Sequence, residues 1–207
     1  ISGLKEGLVR LQVDLEDNPK DDGSNPNIGA LTARPLFQTS DVSLGLHDIS
    51  VLMKFRTKVG GTLFSKCRIG DVPWSVDFEL NGIKTLFLRE GDLIFNDGWD
   101  DDTEMKIAQN MADGRFHTVA MTVNDRVVNF YVDGKLKLTV TKLLSKDNIK
   151  HTFNIGAGVD FNGYQGYNFI GYISSCLVYD KPLTEKEVRE FNKGNIPSGK
   201  QLLNWQN

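Results

Sequence analysis

Residues 113–141 read DGRFHTVAMTVNDRVVNFYVDGKLKLTVT, and their alternation decides the fold. In Phe116–Val123, His117, Val119, Met121 and Val123 share one face, with Thr118, Ala120 and Thr122 on the other. Asn124-Asp125 follows, and both residue types tolerate the left-handed backbone that a tight hairpin needs. Val127–Val132 runs back, with Val128, Phe130 and Val132 alternating against Asn129 and Tyr131. Asp133-Gly134 is the strongest short hairpin pair in the chain. Leu136, Leu138 and Val140 then alternate with Lys135, Lys137, Thr139 and Thr141, the pattern of a sheet wet on one side. The expectation is a three-stranded antiparallel meander.

Outward from the meander, more short strands follow. Leu8–Leu15 alternates and reads as a first or edge strand. Ile49–Thr57 carries Ile49, Val51, Met53 and Phe55 inward, and Gly60-Gly61 is expected to turn it into Thr62–Cys67. Val76–Leu80 pairs across Asn81-Gly82 with Ile83–Arg89, and Glu90-Gly91 or Gly91-Asp92 turns into Leu93–Asn96. Evenly spaced strands with Gly and Asn turns read as a sandwich or jelly roll. The tail differs: Thr184 with Glu187 three residues on forms a capping box, and Leu183 staples to Val188. Asn192 and Gly194 mark the end of that one helix. Residues 1–194 are expected as one domain, with 195–207 a linker or the start of a following region.

A chain of 207 residues, 40% hydrophobic and 25% charged, is ordinary globular composition and long enough for one sandwich core. Its net charge of −3 and lack of a basic stripe in the sequence argue against nucleic acid. No apolar run of about 18 residues is present to form a spanning helix. The chain opens on Ile1 with no signal-like segment and reads as a piece of something longer. Cys67 and Cys176 fall in expected strands as core thiols, and a bridge between them stays open. The sequence holds no Asn-x-Ser/Thr glycan acceptor.

Three stretches carry a resemblance. Asp113–Val123 with Tyr131-Val132-Asp133-Gly134, then Gly171–Thr184 (GYISSCLVYDKPLT), then Asp22–Gly29 (DGSNPNIG) resemble motifs of laminin G-like domains in the concanavalin A-like lectin/glucanase superfamily. The likeness spans about residues 8–192. It implies an all-β, antiparallel jelly-roll sandwich with one short C-terminal helix. The superfamily includes glycan binders, protein binders and glycosidases, so fold alone does not fix function. In calcium-binding relatives, a turn like Asp22–Gly29 supplies oxygens and the last strand completes the shell. Here Ser174 stands where many relatives have an acid, leaving the Gly171 carbonyl as that strand's ligand.

The residues themselves point the same way for the first loop. Asp17–Asn27 packs carboxylates, amides and turn carbonyls closely, which suits Ca²⁺ with its six to eight oxygen ligands, through Asp17, Asp22, Asn25 and Asn27. The same composition also suits a solvated turn. A second stretch, Asn96–Glu104, sets Trp99 among Asp97, Asp100 and Asp101. A tryptophan face stacks on a pyranose while carboxylates accept its hydroxyl hydrogens. Trp74, Tyr164 and Tyr167 lie on other loop-like stretches that can join it. The alternative for Trp99 is a plug at the end of the sandwich. Asp77 and Glu79 on one strand face are the nearest approach to a glycosidase pair, but the third acid is missing and the order is reversed. His117 is expected to anchor the sheet by a hydrogen bond.

The expected function is therefore non-catalytic glycan recognition, calcium-assisted if the metal binds, in a larger extracellular or surface protein. The alternative is a protein-binding or structural accessory domain packed on a catalytic neighbour. The partners are a glycan or glycoprotein and other domains of the same chain.

Overall fold

The computed structural model describes residues 35–45, 48–68, 82–98, 103–158 and 168–206. Its strands are β1 (Phe37–Thr39), β2 (Ile49–Cys67), β3 (Lys84–Arg89), β4 (Asp92–Asp97), β5 (Glu104–Ala108) and β6 (Phe116–Asn124). β7 (Val127–Val132), β8 (Lys135–Thr141), β9 (Thr152–Ile155), β10 (Ile170–Tyr179) and β11 (Gln201–Gln206) follow, and among the described residues one helix, α1 (Glu185–Asn192), precedes the last strand. The expected strand Leu8–Leu15, the loop Asp17–Asn27 and the segment Val76–Leu80 lie outside the described residues.

One strand belongs to both sheets. Ile49–Arg56 of β2 pairs with β6, and Ser50–Gly60 pairs with β10. Beyond that, Gly61–Lys66 pairs with β3 and Phe64–Cys67 with β9. Sheet A thus runs β1-β9-β2-β3-β4-β5 and sheet B runs β11-β10-β2-β6-β7-β8, all antiparallel. Gly60-Gly61 is therefore not the expected hairpin turn. It is the bend at which a continuous strand leaves one sheet for the other, as at the corners of packed sheets. Both glycines hold positive φ, 131° and 104°. A Cβ on Gly61 would lie 2.2 Å from the Asn168 carbonyl oxygen.

The two sheets bury one core between them. Val51, Met53 and Phe55 of β2 meet Val119, Met121 and Val123 of β6 on its sheet B side. Phe64, Leu86, Leu88, Phe95 and Phe153 line sheet A. Phe95 and Phe130 join the layers with ring centroids 5.2 Å apart, and Phe64 stacks on Phe153 at 5.5 Å. Cys176 sits in this core, and Cys67 is buried beside Ser65; both are free thiols. Burial pushes the Cys176 thiol well above its ordinary pKa.

The meander forms as expected, with Asp133 and Gly134 at φ 51° and 73°. Its first turn shifts by one residue: Asn124 still pairs with Val127, and Asp125 takes the positive φ of 52°. The register slips between Phe130 and Tyr131, which pair with Leu138 and Leu136. This bulge at Lys137 turns Leu136 to the outer face, where it is exposed. Glu90-Gly91 makes the β3–β4 turn, both at positive φ.

Helix α1 begins with the expected capping box of Thr184 and Glu187. It ends in a Schellman arrangement: Gly194 N donates to Phe191 O and Asn195 N to Glu190 O. Its Val188 and Phe191 cover Leu52, Ala120, Tyr131 and Leu177 on the outer face of sheet B, with Leu183 in the same cluster. The tail after residue 194, expected as a linker or the start of a following region, carries a strand. Gln201–Gln206 adds β11 to β10, and Leu203 and Trp205 pack on the core.

Candidate functional site

One rim of sheet A gathers the ends of four neighbouring strands. Lys66 pairs with Lys84, Lys84 with Asp97, and Asn96 with Glu104. Two connections leave this rim. Residues 69–81, carrying Trp74, join β2 to β3, and residues 99–102, carrying Trp99, Asp100 and Asp101, join β4 to β5. These four side chains lie outside the described residues, as do Tyr164, Tyr167, Asp17, Asp22, Asn25 and Asn27. Asp97 and Gly171 are the described members of the expected sites.

Asp97 is the last residue of β4, in step with Leu93 and Phe95, and this parity turns it toward the core. Its carboxylate is 1% exposed. It accepts from Ser145 N at 3.1 and 3.2 Å and from Ser145 Oγ, and lies 2.9 Å from Lys142 Nζ. Asp97 is thereby an anchor of the rim rather than a surface group offered to a sugar. Gly171 sits elsewhere, at the bulge of β10 between Ile170 and Tyr172, beside the bend in β2. A Cβ there would lie 2.4 Å from the Arg56 carbonyl oxygen.

Beneath the rim lies a buried charge network that the sequence reading passed over. Lys84 Nζ is 2.7 Å from Asp147 Oδ1 and 4.0 Å from Asp97 Oδ1, and its side chain has no exposed area. Asp147 Oδ2 accepts from Leu44 N at 2.7 Å and Ser43 Oγ at 2.9 Å. Lys66 Nζ donates to Val42 O and lies 4.0 Å from Asp147 Oδ2. Burial pushes the Asp147 carboxyl up, but the Lys84 ammonium and the hydrogen bonds outweigh it and hold the group below its ordinary value. Burial lowers the Lys66 pKa, partly opposed by Asp147. Gly45 and Gly82 let the backbone of residues 145–148 close over this end: a Cβ would meet Ser145 O at 2.4 Å and Lys146 O at 2.2 Å, respectively.

The outer face of sheet A carries polar groups beside the buried apolar pair of Phe87 and Ile94. Ser65 Oγ donates to Ala157 O at 2.8 Å, Asn154 Nδ2 reaches Ser65 Oγ at 3.1 Å, and Thr103 Oγ1 donates to Asn96 Oδ1 at 2.6 Å. Gly158 packs on Thr62 and Ser65, and the connection carrying Tyr164 and Tyr167 starts there. It returns at Asn168, and Phe169 N donates to Gly156 O at 2.8 Å.

His117 anchors the sheet as expected. Its Nδ1 lies 2.9 Å from Asp133 Oδ2 and its Nε2 3.1 Å from Asp113 Oδ1, while Asp133 Oδ1 accepts from Thr118 N at 2.9 Å. The clamp ties the Asp133-Gly134 turn to β6. Both ring nitrogens face carboxylates, so this histidine serves position rather than activation of a nucleophile. Hydrogen bonds from the Arg115 side chain and backbone hold the Asp113 carboxyl well below the usual range. Among the described residues, no three His, Cys, Asp or Glu side chains group as a metal site. No helix among them is long and apolar enough to cross a membrane.

A laminin G-type family model, described as the concanavalin A-like lectin/glucanases superfamily, matches residues 37–189. No curated protein matches the chain. Among solved structures, the chain is similar to domain 4 of AbnA, an extracellular GH43 arabinanase from Geobacillus stearothermophilus, in complex with arabinotriose. The identity is 16% and the TM-score 0.54, over 72% of this chain and 68% of that one. A heptameric SAP-like pentraxin from Limulus polyphemus is similar at 17% identity and TM-score 0.53, over 79% and 78% of the two chains. The CBM40 of a Ruminococcus gnavus IT-sialidase, bound to α2,3-sialyllactose, is similar at 13% identity and TM-score 0.53, over 77% of this chain and 100% of that one. At these identities the likeness is one of fold.

Proposed function

Because the chain belongs to the concanavalin A-like lectin/glucanase superfamily, we propose that it is a non-catalytic module that binds a glycan in a larger extracellular or surface protein. The observation that carries this reading is the pairing of Lys84 with Asp97. It sets side by side the described strand ends from which two connections leave, one bearing Trp74 in the sequence and the other Trp99, Asp100 and Asp101. Trp99 is the stacking platform, the two aspartates accept sugar hydroxyls, and Tyr164 and Tyr167 extend the site. The buried ions beneath supply the rigid footing such a site needs. Similar folds solved with arabinotriose and sialyllactose support a saccharide as the ligand class.

A glycan array run with and without calcium identifies the ligand. Trp99→Ala is then expected to weaken binding by roughly 1–3 kcal/mol, in line with losses at hot-spot aromatics. Stability should change little. A stability loss of about 3–5 kcal/mol, typical of a buried aromatic, with affinity unchanged would make Trp99 a plug and overturn the site.

Calcium is part of the same proposal, held by Asp17, Asp22, Asn25, Asn27 and the Gly171 carbonyl. The donor set is all oxygen, as the ion prefers. Millimolar calcium is expected to raise the melting temperature reversibly, since a ligand stabilises the state that binds it. Asn25→Ala should remove the shift and leave the fold intact. An unchanged melting temperature between calcium and chelator would end the metal assignment.

A further inference from the structure

Among the described strands, β1 and β5 end sheet A, and β11 and β8 end sheet B. Three of these four carry features that keep an open edge from pairing. β1 has only three residues. β5 carries Glu104 and Lys106, and β8 carries Lys135 and Lys137, both exposed. β11 differs. Gln201–Gln206 (QLLNWQ) holds no charge, proline or glycine, and among the described residues it pairs with β10 alone. Its one irregularity is the register shift between Val178 and Tyr179, which sets Leu202 in a bulge. From Leu203 onward the pairing is regular.

The two faces of this edge are sorted. Leu203 and Trp205 lie opposite Val178 and Cys176, which are core residues with no exposed area, so both face the core. They are nonetheless only half-buried, because the flank that a next strand would cover is bare. Asn204 and Gln206 lie opposite Leu177 and Ser175 and face outward. Gln206 Nε2 donates to Asn204 Oδ1 and Asn204 Nδ2 to Gln201 Oε1, each at 2.9 Å. The outward row is thus neutral and held in place by its own amides. A strand with one partner also leaves alternate backbone N–H and C=O groups pointing away from it.

We propose that β11 pairs antiparallel with β11 of a second copy of this chain, about a two-fold axis at Asn204. Two identical antiparallel strands have that symmetry, and the contact closes with two molecules. Asn204 then lies opposite its own counterpart, and Leu203 opposite the second copy's Trp205 on both sides of the axis. Inward residues meet inward residues, so the two cores run on into each other and sheet B continues through both molecules. An axis at Leu203 would instead set Trp205 against Gln201, which lies beyond the bulge opposite Tyr179 of the outer cluster. A second copy fits better than an unrelated strand, because the apolar row each copy leaves bare is covered by the same row of the other. No charge is buried, since β11 has none. Two copies carry two rims, so a repeating ligand is held at two points; the pairing itself does not rest on what the rim binds.

Sedimentation of the unaltered 207-residue protein should show a dimer that dissociates on dilution, a readout that needs no variant to fold. Asn204→Lys sets two like charges opposite each other across the axis and should weaken dimerisation at least about tenfold. High salt should restore part of that loss, since screening shortens to roughly 3 Å at 1 M. Thr139→Lys, which adds the same charge to the outer row of β8, should dimerise as the parent does. Under mild oxidation Asn204→Cys should give a covalent dimer and Thr139→Cys should not; the native Cys67 and Cys176 are buried and stay out of the reaction. A monomer at all concentrations, equal losses in the two lysine variants or equal cross-linking of the two cysteine variants would overturn the proposal. So would a monomer that dimerises only once residues 1–16 are removed, because the edge would then belong to the expected strand Leu8–Leu15.

Discussion

Asp147→Asn is expected to lower folding stability by about 3–5 kcal/mol, the usual cost of removing one member of a buried ion pair. Lys84 has no exposed area, and Asp147 is the carboxylate nearest to its ammonium. Without it, the Lys84 ammonium keeps only Asp97 at 4.0 Å among the described carboxylates, and Lys142 already occupies one oxygen of that group. Leu44 N and Ser43 Oγ also lose a charged acceptor. Denaturant unfolding measures the loss. Adding Lys84→Met should recover part of it, because two well-packed neutral groups replace the pair; a double variant no better than the single would count against the coupling. The acid limb should change as well. Asp147 is held below its ordinary pKa, so its contribution is present above the unfolded-state value and is lost as pH falls through the folded value. Asp147→Asn should flatten that limb. Lys66, lowered by burial, acts at the other end: stability rises as pH climbs from its folded toward its unfolded value.

Gly61→Ala is the second large effect. Its φ of 104° is one that side-chain-bearing residues rarely adopt. The added carbon would also lie 2.2 Å from the Asn168 oxygen and 2.8 Å from Phe169 Cα, both backbone atoms. Strain of about 1–3 kcal/mol from the dihedral adds to a clash that only backbone displacement relieves. A total of about 4 kcal/mol or more places the substitution among the rare severe ones. Gly194→Ala, also at positive φ but with nothing within 4 Å of the added carbon, is the control and should cost only the dihedral term. Equal melting temperatures for the two variants would show that the close approach at Gly61 carries no energy.

Local pattern made the meander legible, because Asp133-Gly134 and the flanking alternation are properties of neighbouring residues. The capping box at Thr184 and Glu187 was legible for the same reason. Gly60-Gly61 was not, since a glycine pair inside an alternating run serves a hairpin and a bend equally well. Only its distant partners, β6 and β10 before the pair and β3 and β9 after it, separate the two. The strand at Gln201–Gln206 was not legible in the stretch expected as a linker or the start of a following region, because its strand character comes from pairing with β10, more than twenty positions away along the chain. The buried ions did leave a mark. Lys84 shares parity with Leu86 and Leu88, as Asp97 does with Leu93 and Phe95, so each is written on the core face of its strand. A charge at an inward position on two adjacent strands is the signal that points to a buried pair. Asp147, arriving from a loop, left none.

The shared strand has a mechanical consequence. Most two-sheet proteins can loosen along the seam between layers while each layer keeps its own hydrogen bonds. Here β2 is the third strand of both layers, so pulling either sheet away drags a central member out of the other. Neither layer is a spare that survives alone, and a load applied at one face is carried by covalent backbone into the opposite one.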